Sequence, residues 1–133
     1  MDIKELINQA FEAQKYSYSP YSKCKVGAAL LCKNGKIYKG CNIENSSYSL
    51  TNCAERTAFF KAFSVGETEF DAIAIVGNNG QDDFFYPCGA CRQIMSEFCD
   101  ESFTVIVAKS VEEYREKKLG ELLPYSFGKE NVL

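Results

Sequence analysis

The sequence predicts an α/β protein in which one sheet is covered by helices on both faces. Three observations carry this. Apolar segments of strand length alternate with segments of helical period. An Asn34-Gly35 pair separates two apolar runs and marks a hairpin. Residues 70–76 are almost wholly apolar, as in a strand covered on both sides. With 133 residues, the chain has the length of a single domain, 1–133.

Residues 2–16 come first. Ile3, Leu6, Ile7, Ala10, Phe11 and Ala13 recur at spacings of three and four, the period of an amphipathic helix. Asp2 and Glu5 stand at its start, where negative charge suits the helix dipole, and Ser19-Pro20 ends it. Residues 26–33 and 36–43 are the two hairpin strands, with Ile37, Cys41 and Ile43 on one face. Residues 52–62 form a second helix, with Asn52 as N-cap and Gly66 as terminator. After the strand 70–76 comes a polar loop, 78–85, with an aromatic end. Pro87 opens a third helix, whose apolar face is Ile94, Met95 and Phe98. Residues 103–108 form another strand. The charged segment 111–118 fits either a helix or an edge strand, and 119–124 a short helical turn before the tail.

Composition narrows the function. Hydrophobic residues at 46% and charged residues at 25% argue against disorder. A formal net charge of −3, with signs mixed along the chain, leaves no footprint for a nucleic-acid backbone. A small substrate is expected instead. No run reaches the ~18–20 apolar residues of a membrane helix. The first ten residues lack the basic start and apolar run of a signal peptide, so a cytoplasmic location is expected. Seven cysteines are many for a reducing compartment, and an odd number. They point to a metal, with Cys32, Cys41 and Cys99 as small core thiols. The chain has no histidine, which excludes Ser-His and Cys-His catalysis and any histidine-bound metal. Acid–base work near neutral pH falls to a carboxylate, lysine, thiol or tyrosine.

The sharpest local feature is Pro87-Cys88-Gly89-Ala90-Cys91. Residues i and i+3 share one helix face, so two thiols there can hold one soft cation. Taken alone, the pair fits half a structural zinc site, a redox pair or coincidence. The redox reading weakens because the pair follows two earlier helices. The closed zinc site weakens because no second C-x-x-C exists. Cys53-Ala54-Glu55 supplies a third thiol beside a helix start and a carboxylate next to it. Three thiolates and one open position are the plan of a catalytic zinc site, where bound water is acidified and Glu55 exchanges its protons. Asn52-x-x-Glu55 also fits a capping box, in which the glutamate only ties back the helix start. Cys53 and Glu55 converge on one ion only if Cys53 sits at the cap, off helical geometry. Three thiolates and a hydroxide outweigh the zinc charge, so positive charge must offset them. Arg56 and two helix N-termini are the candidates, and Gln93 is a further polar candidate for a contact with the ligands, with a plain surface position as its alternative.

These residues resemble the cytidine deaminase superfamily, whose signature is Cys-Ala-Glu followed by Pro-Cys-x-x-Cys. Zinc deaminases of this kind include a three-cysteine form. The resemblance extends over Ser19-Pro20-Tyr21-Ser22, Val26-Gly27-Ala28-Ala29, Gly40-Cys41-Asn42-Ile43-Glu44-Asn45, Arg56-Thr57-Ala58 and Leu122-Leu123-Pro124 ahead of Phe127. The chain is similar to the small homotetrameric branch over nearly its whole length. The resemblance implies a three-layer α/β/α sandwich on a five-stranded mixed sheet. It implies one zinc per subunit on Cys53, Cys88 and Cys91, with Glu55 shuttling protons to ring N3 and to departing ammonia as activated water attacks C4. Asn42 and Glu44 match the pair that binds the ribose hydroxyls, though strand-end polar residues are the plainer reading. The N–H of Ala54 would hold the pyrimidine edge. Tyr48 and Phe127 match positions that reach a neighbouring subunit's site. Cys24 departs from the pattern: many members carry phenylalanine there, packed on the pyrimidine, so another aromatic or a weaker affinity is expected. Deamination of free cytidine and deoxycytidine ranks first. A same-fold deaminase of another amino-pyrimidine such as blasticidin S comes next, and a non-catalytic zinc module last.

Overall fold

The computed structural model describes residues 1–133. Helix α1, Ile3–Gln14, starts where Asp2 accepts a hydrogen bond from the Glu5 N–H at 3.0 Å. Strands β1, Lys25–Cys32, and β2, Ile37–Cys41, form the expected hairpin. Its turn is a three-residue loop rather than a two-residue one. The Gly35 N–H donates to the Cys32 carbonyl, and the Cys32 N–H to the Lys36 carbonyl. Only Gly35 is left-handed there, at φ 89°, which is a type I turn closed by a bulge glycine. Helix α2 is Ala54–Ser64 and strand β3 is Phe70–Asn78. Helix α3, Gly89–Phe98, leads into β4, Thr104–Ala108. The ambiguous charged segment is the edge strand β5, Tyr114–Lys118, and α4 is the single turn Leu119–Leu122. Lysines on β5 suit an edge that must not recruit another sheet.

The sheet order is β2-β1-β3-β4-β5. Only β3 and β4 are parallel, and α3 makes the crossover that parallel pairing requires. The sheet is therefore mixed, five-stranded and layered between helices, as the resemblance implied. Side-chain alternation divides the core cleanly. Ala29, Ala72, Ala74, Val76, Ile106 and Ala108 pack with Leu6, Ile7 and Ala10 of α1. Ala28, Leu30, Ile73, Ile75, Val105 and Val107 face Ala58, Phe59 and Ala62 of α2 and Cys91 and Met95 of α3. The central strands are buried on both faces, which is why residues 70–76 lack a polar alternation.

Two expected helix starts shift by a residue or two. Asn52 is not the N-cap of α2; Cys53 is, with extended backbone at φ −75° and ψ 157°. Pro87 does not sit in the first turn of α3; it precedes the N-cap Cys88, at φ −66° and ψ 166°. At the far end of α2, Gly66 terminates the helix as expected. Its φ is 94°, its N–H donates to Phe63, and the Glu67 N–H donates to Ala62.

Candidate active site

Helices α2 and α3 begin side by side at the carboxyl end of β3, where β1 also begins beside Gly77 and Asn78. The ends of these strands are where an α/β sheet offers a crevice. Gly40 of β2 allows the close approach of α2: a Cβ there would lie 2.4 Å from the Ala54 carbonyl oxygen and 2.5 Å from the Ala58 nitrogen. Arg92 anchors the start of α3. It donates from Nε to the Pro87 carbonyl and from Nη1 to the Leu122 carbonyl, both at 2.7 Å. At the start of α2, Asn52 donates to Thr57 Oγ1, and Thr57 donates through both N–H and hydroxyl to the Cys53 carbonyl. Sequence reasoning missed Arg92 and Thr57, because no local pattern announces a side chain whose work is to hold backbone.

Cys53, Cys88 and Cys91 come together, with all three sulfurs within 4.8 Å of one another. The cap positions of Cys53 and Cys88 turn their thiols inward, off the helical path. Cys91, one turn further on, is buried. The Cys53 and Cys88 sulfurs are 3.9 Å apart. Thiolates at ~2.3 Å from a tetrahedral zinc stand roughly 3.8 Å apart, so the residues present fit that ion. Arg56 donates from Nη2 to the Cys53 sulfur at 3.1 Å, while its Nε is buried without a partner. A half-buried guanidinium with a buried, unmet donor belongs beside concentrated negative charge.

Two of the sulfurs, Cys53 and Cys91, shift against each other. The hydrogen bond from Cys91 holds the Cys53 thiol down at about 5; Arg56 acts in the same direction and burial opposes both. Cys91 is pushed up in turn, by that same hydrogen bond and then by burial. The Cys53 sulfur holds the Arg56 guanidinium even more firmly protonated than usual. Glu55 is 5% exposed, and burial pushes its carboxyl up to about 7, with the charge of Cys53 adding to the shift. Glu55 makes no reciprocal capping contact with Asn52, whose side chain is committed to Thr57. The carboxyl instead lines a cavity of about 190 Å³ with Val26, Asn42, Cys53, Cys88, Phe85 and Tyr86. Ala54 lines it too, and its N–H at the first turn of α2 has no partner in the chain.

A second hollow of about 300 Å³ adjoins the first across Thr51 and is lined by Tyr21, Ser22, Glu44 and Tyr48. Glu44 accepts from the N–H groups of Tyr21 and Ser22 and from the Ser22 hydroxyl, which holds its carboxyl below the usual carboxylate range. Asn42 is buried and fully employed: Oδ1 accepts from Ser17 and the Val26 N–H, and Nδ2 donates to the Cys24 carbonyl at 2.7 Å. Cys24 is half-buried and outside the lining of the smaller cavity. Gln93 is exposed and donates to the Phe127 carbonyl at 2.8 Å, not to a sulfur. Tyr48 and Phe127 are 75% and 64% exposed and lie away from their own chain's Glu55 cavity. Larger hollows exist, one of about 380 Å³ between the end of α3 and the tail, but no sulfur cluster or buried carboxylate lines it.

Similarity to known proteins points the same way. The family described as "Cytidine and deoxycytidylate deaminase zinc-binding region" matches residues 1–107. A cytidine deaminase of Sporosarcina psychrophila is 49% identical over 99% of this chain and 96% of its own length. One of Halalkalibacterium halodurans is 46% identical over 99% and 98%. The crystal structure of cytidine deaminase from Burkholderia pseudomallei superposes with a TM-score of 0.89 at 45% identity, covering 96% of this chain and all of that one. With the three-sulfur cluster and the buried glutamate set at paired helix starts, these matches place the chain in the cytidine and deoxycytidylate deaminase zinc-binding family.

Proposed function

We propose that this chain hydrolyses cytidine and 2′-deoxycytidine to uridine and 2′-deoxyuridine, releasing ammonia, as a single domain over residues 1–133. The observation that carries the reading is a buried carboxylate in a small cavity walled by two of three converging sulfurs. Cys53, Cys88 and Cys91 would hold one zinc ion, which supplies Lewis-acid activation of water when bound. Glu55 takes the proton that the attacking water loses and delivers it to ring N3. It then carries a second proton to the departing amino group. A carboxyl held near neutrality suits both directions of transfer. The unpartnered Ala54 N–H suits a ring carbonyl.

Arg56 and the starts of α2 and α3 offset the thiolate charge. Glu44 borders the adjoining hollow, as a ribose-binding group should, while Asn42 lines the neighbouring Glu55 cavity, held there by its bonds to Ser17, Val26 and Cys24. Gln93 acts on the tail through Phe127. The exposed rings of Tyr48 and Phe127 suit contact with a neighbouring copy, which supports a homotetramer with composite sites as the active form. No helix is long and apolar enough to cross a membrane. A cytoplasmic enzyme acting on free nucleosides, not on nucleic acid, accords with this and with the acidic balance.

The test is ammonia release from cytidine by the purified protein, run beside Glu55→Gln and a chelator-stripped sample. Glu55→Gln should keep its zinc and lose at least ~10²–10⁴ in turnover, the share of general acid–base catalysis. Stripping should abolish turnover, and added zinc restore it. Near-normal turnover in Glu55→Gln would reduce Glu55 to a structural residue. Bound zinc without turnover of cytidine would move the substrate to another amino-pyrimidine.

A further inference from the structure

The cavity beside Glu55 has two unlike sides. Asn42, Asn52 and Glu55 are polar, and opposite chemistry comes from Val26, Ile75, Phe85 and Tyr86. Only Phe85 and Tyr86 bring aromatic rings to it. Both belong to the loop between β3 and α3, the end of the aromatic run Phe84-Phe85-Tyr86.

That run is anchored residue by residue. The Phe84 ring carries Lys109 Nζ at 4.7 Å from its centroid and the Arg115 guanidinium at 4.1 Å, which ties the loop to β4 and β5. Arg115 also donates to the Tyr86 hydroxyl at 3.4 Å, so the polar tip of that ring is directed to the sheet edge. Phe85 differs. Its ring rests directly on the backbone of Gly77 in β3: a Cβ at Gly77 would lie 2.3–2.5 Å from Cγ, Cδ1 and Cδ2. No other ring in the protein pairs with it. An apolar ring backed by a glycine thus lines the cavity that contains the carboxylate. Cys24, which stands where many family members carry the packing phenylalanine, does not line this cavity.

We propose that Phe85 is the wall on which the pyrimidine ring packs, and so a substrate-positioning residue specific to this loop. The inference rests on the deaminase reading for the identity of the ring. The chemistry fits: a planar heterocycle of the size of this cavity loses its water against Phe85 while its polar edge meets Glu55 and the Ala54 N–H. Lys109 and Arg115 would act at one remove, by fixing the loop through Phe84.

Two measurements test it. In steady-state kinetics, Phe85→Leu should raise the KM for cytidine about 3- to 10-fold, the worth of an aromatic contact, with turnover within a few-fold of the parent. Phe85→Tyr should restore the parent KM, and zinc content and melting temperature should not move in either. The chain has no tryptophan, so Phe85→Trp is a single-fluorophore reporter that needs no turnover. Cytidine should quench its emission saturably. Phe63→Trp, about 15 Å further along α2 from Cys53 at 1.5 Å per residue, should be blind to it. An unchanged KM in Phe85→Leu together with no quenching at position 85 would overturn the proposal. Saturable quenching in Phe85→Trp together with a parent protein that releases no ammonia would sink the deaminase reading and leave the wall standing.

Discussion

At the scale of single residues, the site depends on side chains whose ordinary solution chemistry has been displaced. Glu55 is a surface residue type held almost wholly out of water, and that burial, more than any partner, lifts its carboxyl toward neutrality. Arg56 answers the opposite problem. Three clustered thiolates repel one another, and its Nη2 at 3.1 Å from Cys53 is the nearest fixed positive charge. Arg56→Gln keeps a donor but removes the charge. We expect it to weaken zinc binding roughly 10- to 100-fold, the usual cost of losing a group that steadies metal ligands. Competition with a zinc-chelating dye would measure this. Unaltered affinity would mean that the guanidinium serves packing alone. The residue types at this site were legible in sequence because their spacing is tied to helix starts. Phe85 was not legible as a site residue: nothing local distinguishes a ring that lines a cavity from one that closes a loop, and the deciding contact, Gly77, lies on a strand.

At the scale of elements, the helix starts carry most of the chemistry, and sequence reasoning placed them to within two residues. The shift at α2 matters. An N-cap at Asn52 would put Cys53 and Glu55 two apart on a helix, pointing in different directions. With Cys53 itself as the cap, its extended backbone frees the thiol to meet Cys88 while Glu55 points into the cavity. Preference scales favour Asn over Cys at a cap, so local propensity misled, and the need to bring sulfurs together overrode it. The opposite end of α2 shows the same element tied to the hairpin. Glu67 accepts from Asn34 Nδ2 at 2.9 Å and from the Tyr38 hydroxyl at 3.0 Å, and these bonds hold its carboxyl below the usual range. A folded-state pKa below the unfolded value near ~4.3 gives stability that is present above that value and lost as the pH falls through the folded one. The parent should therefore melt higher than Glu67→Gln at pH 7, and the gap should close as the pH drops below about 4. Acid release of zinc would affect both proteins alike, so the difference between the two melting curves isolates Glu67. A gap that persists in acid would show that a neutral hydrogen bond, not the carboxylate, closes the hairpin.

At the scale of the whole molecule, the zinc ligands come from two helices that pack on one face of the sheet and on each other, Phe63 of α2 against Phe98 of α3. Fold and site are thus one construction: β3 delivers the loop, α3 makes the parallel crossover, and α2 is drawn close by Gly40. The alternation of strands and helices revealed this layering in sequence, because central strands buried on both faces are apolar throughout. The charged β5 stayed ambiguous because an edge strand half in solvent has no such pattern. What a single chain leaves open is the mouth of the site. Tyr48 leans on Tyr21, with ring centroids 6.0 Å apart, and Phe127 is held only by its own carbonyl through Gln93. Both rings are mostly exposed, an unfavourable arrangement for large aromatics unless another surface covers them. If a neighbouring copy supplies Phe127 to each site, two inactive variants should complement each other. Phe127→Ala should lose turnover while keeping zinc, and Glu55→Gln should lose it for a different reason. A hybrid tetramer, co-expressed with two affinity tags and purified through both, contains sites where an intact Glu55 faces an intact Phe127 from the other subunit. Its turnover per zinc should exceed that of either parent variant severalfold. Turnover equal to the average of the two would place Phe127 in the site of its own chain, and a sedimentation mass of a single chain would remove the composite site altogether.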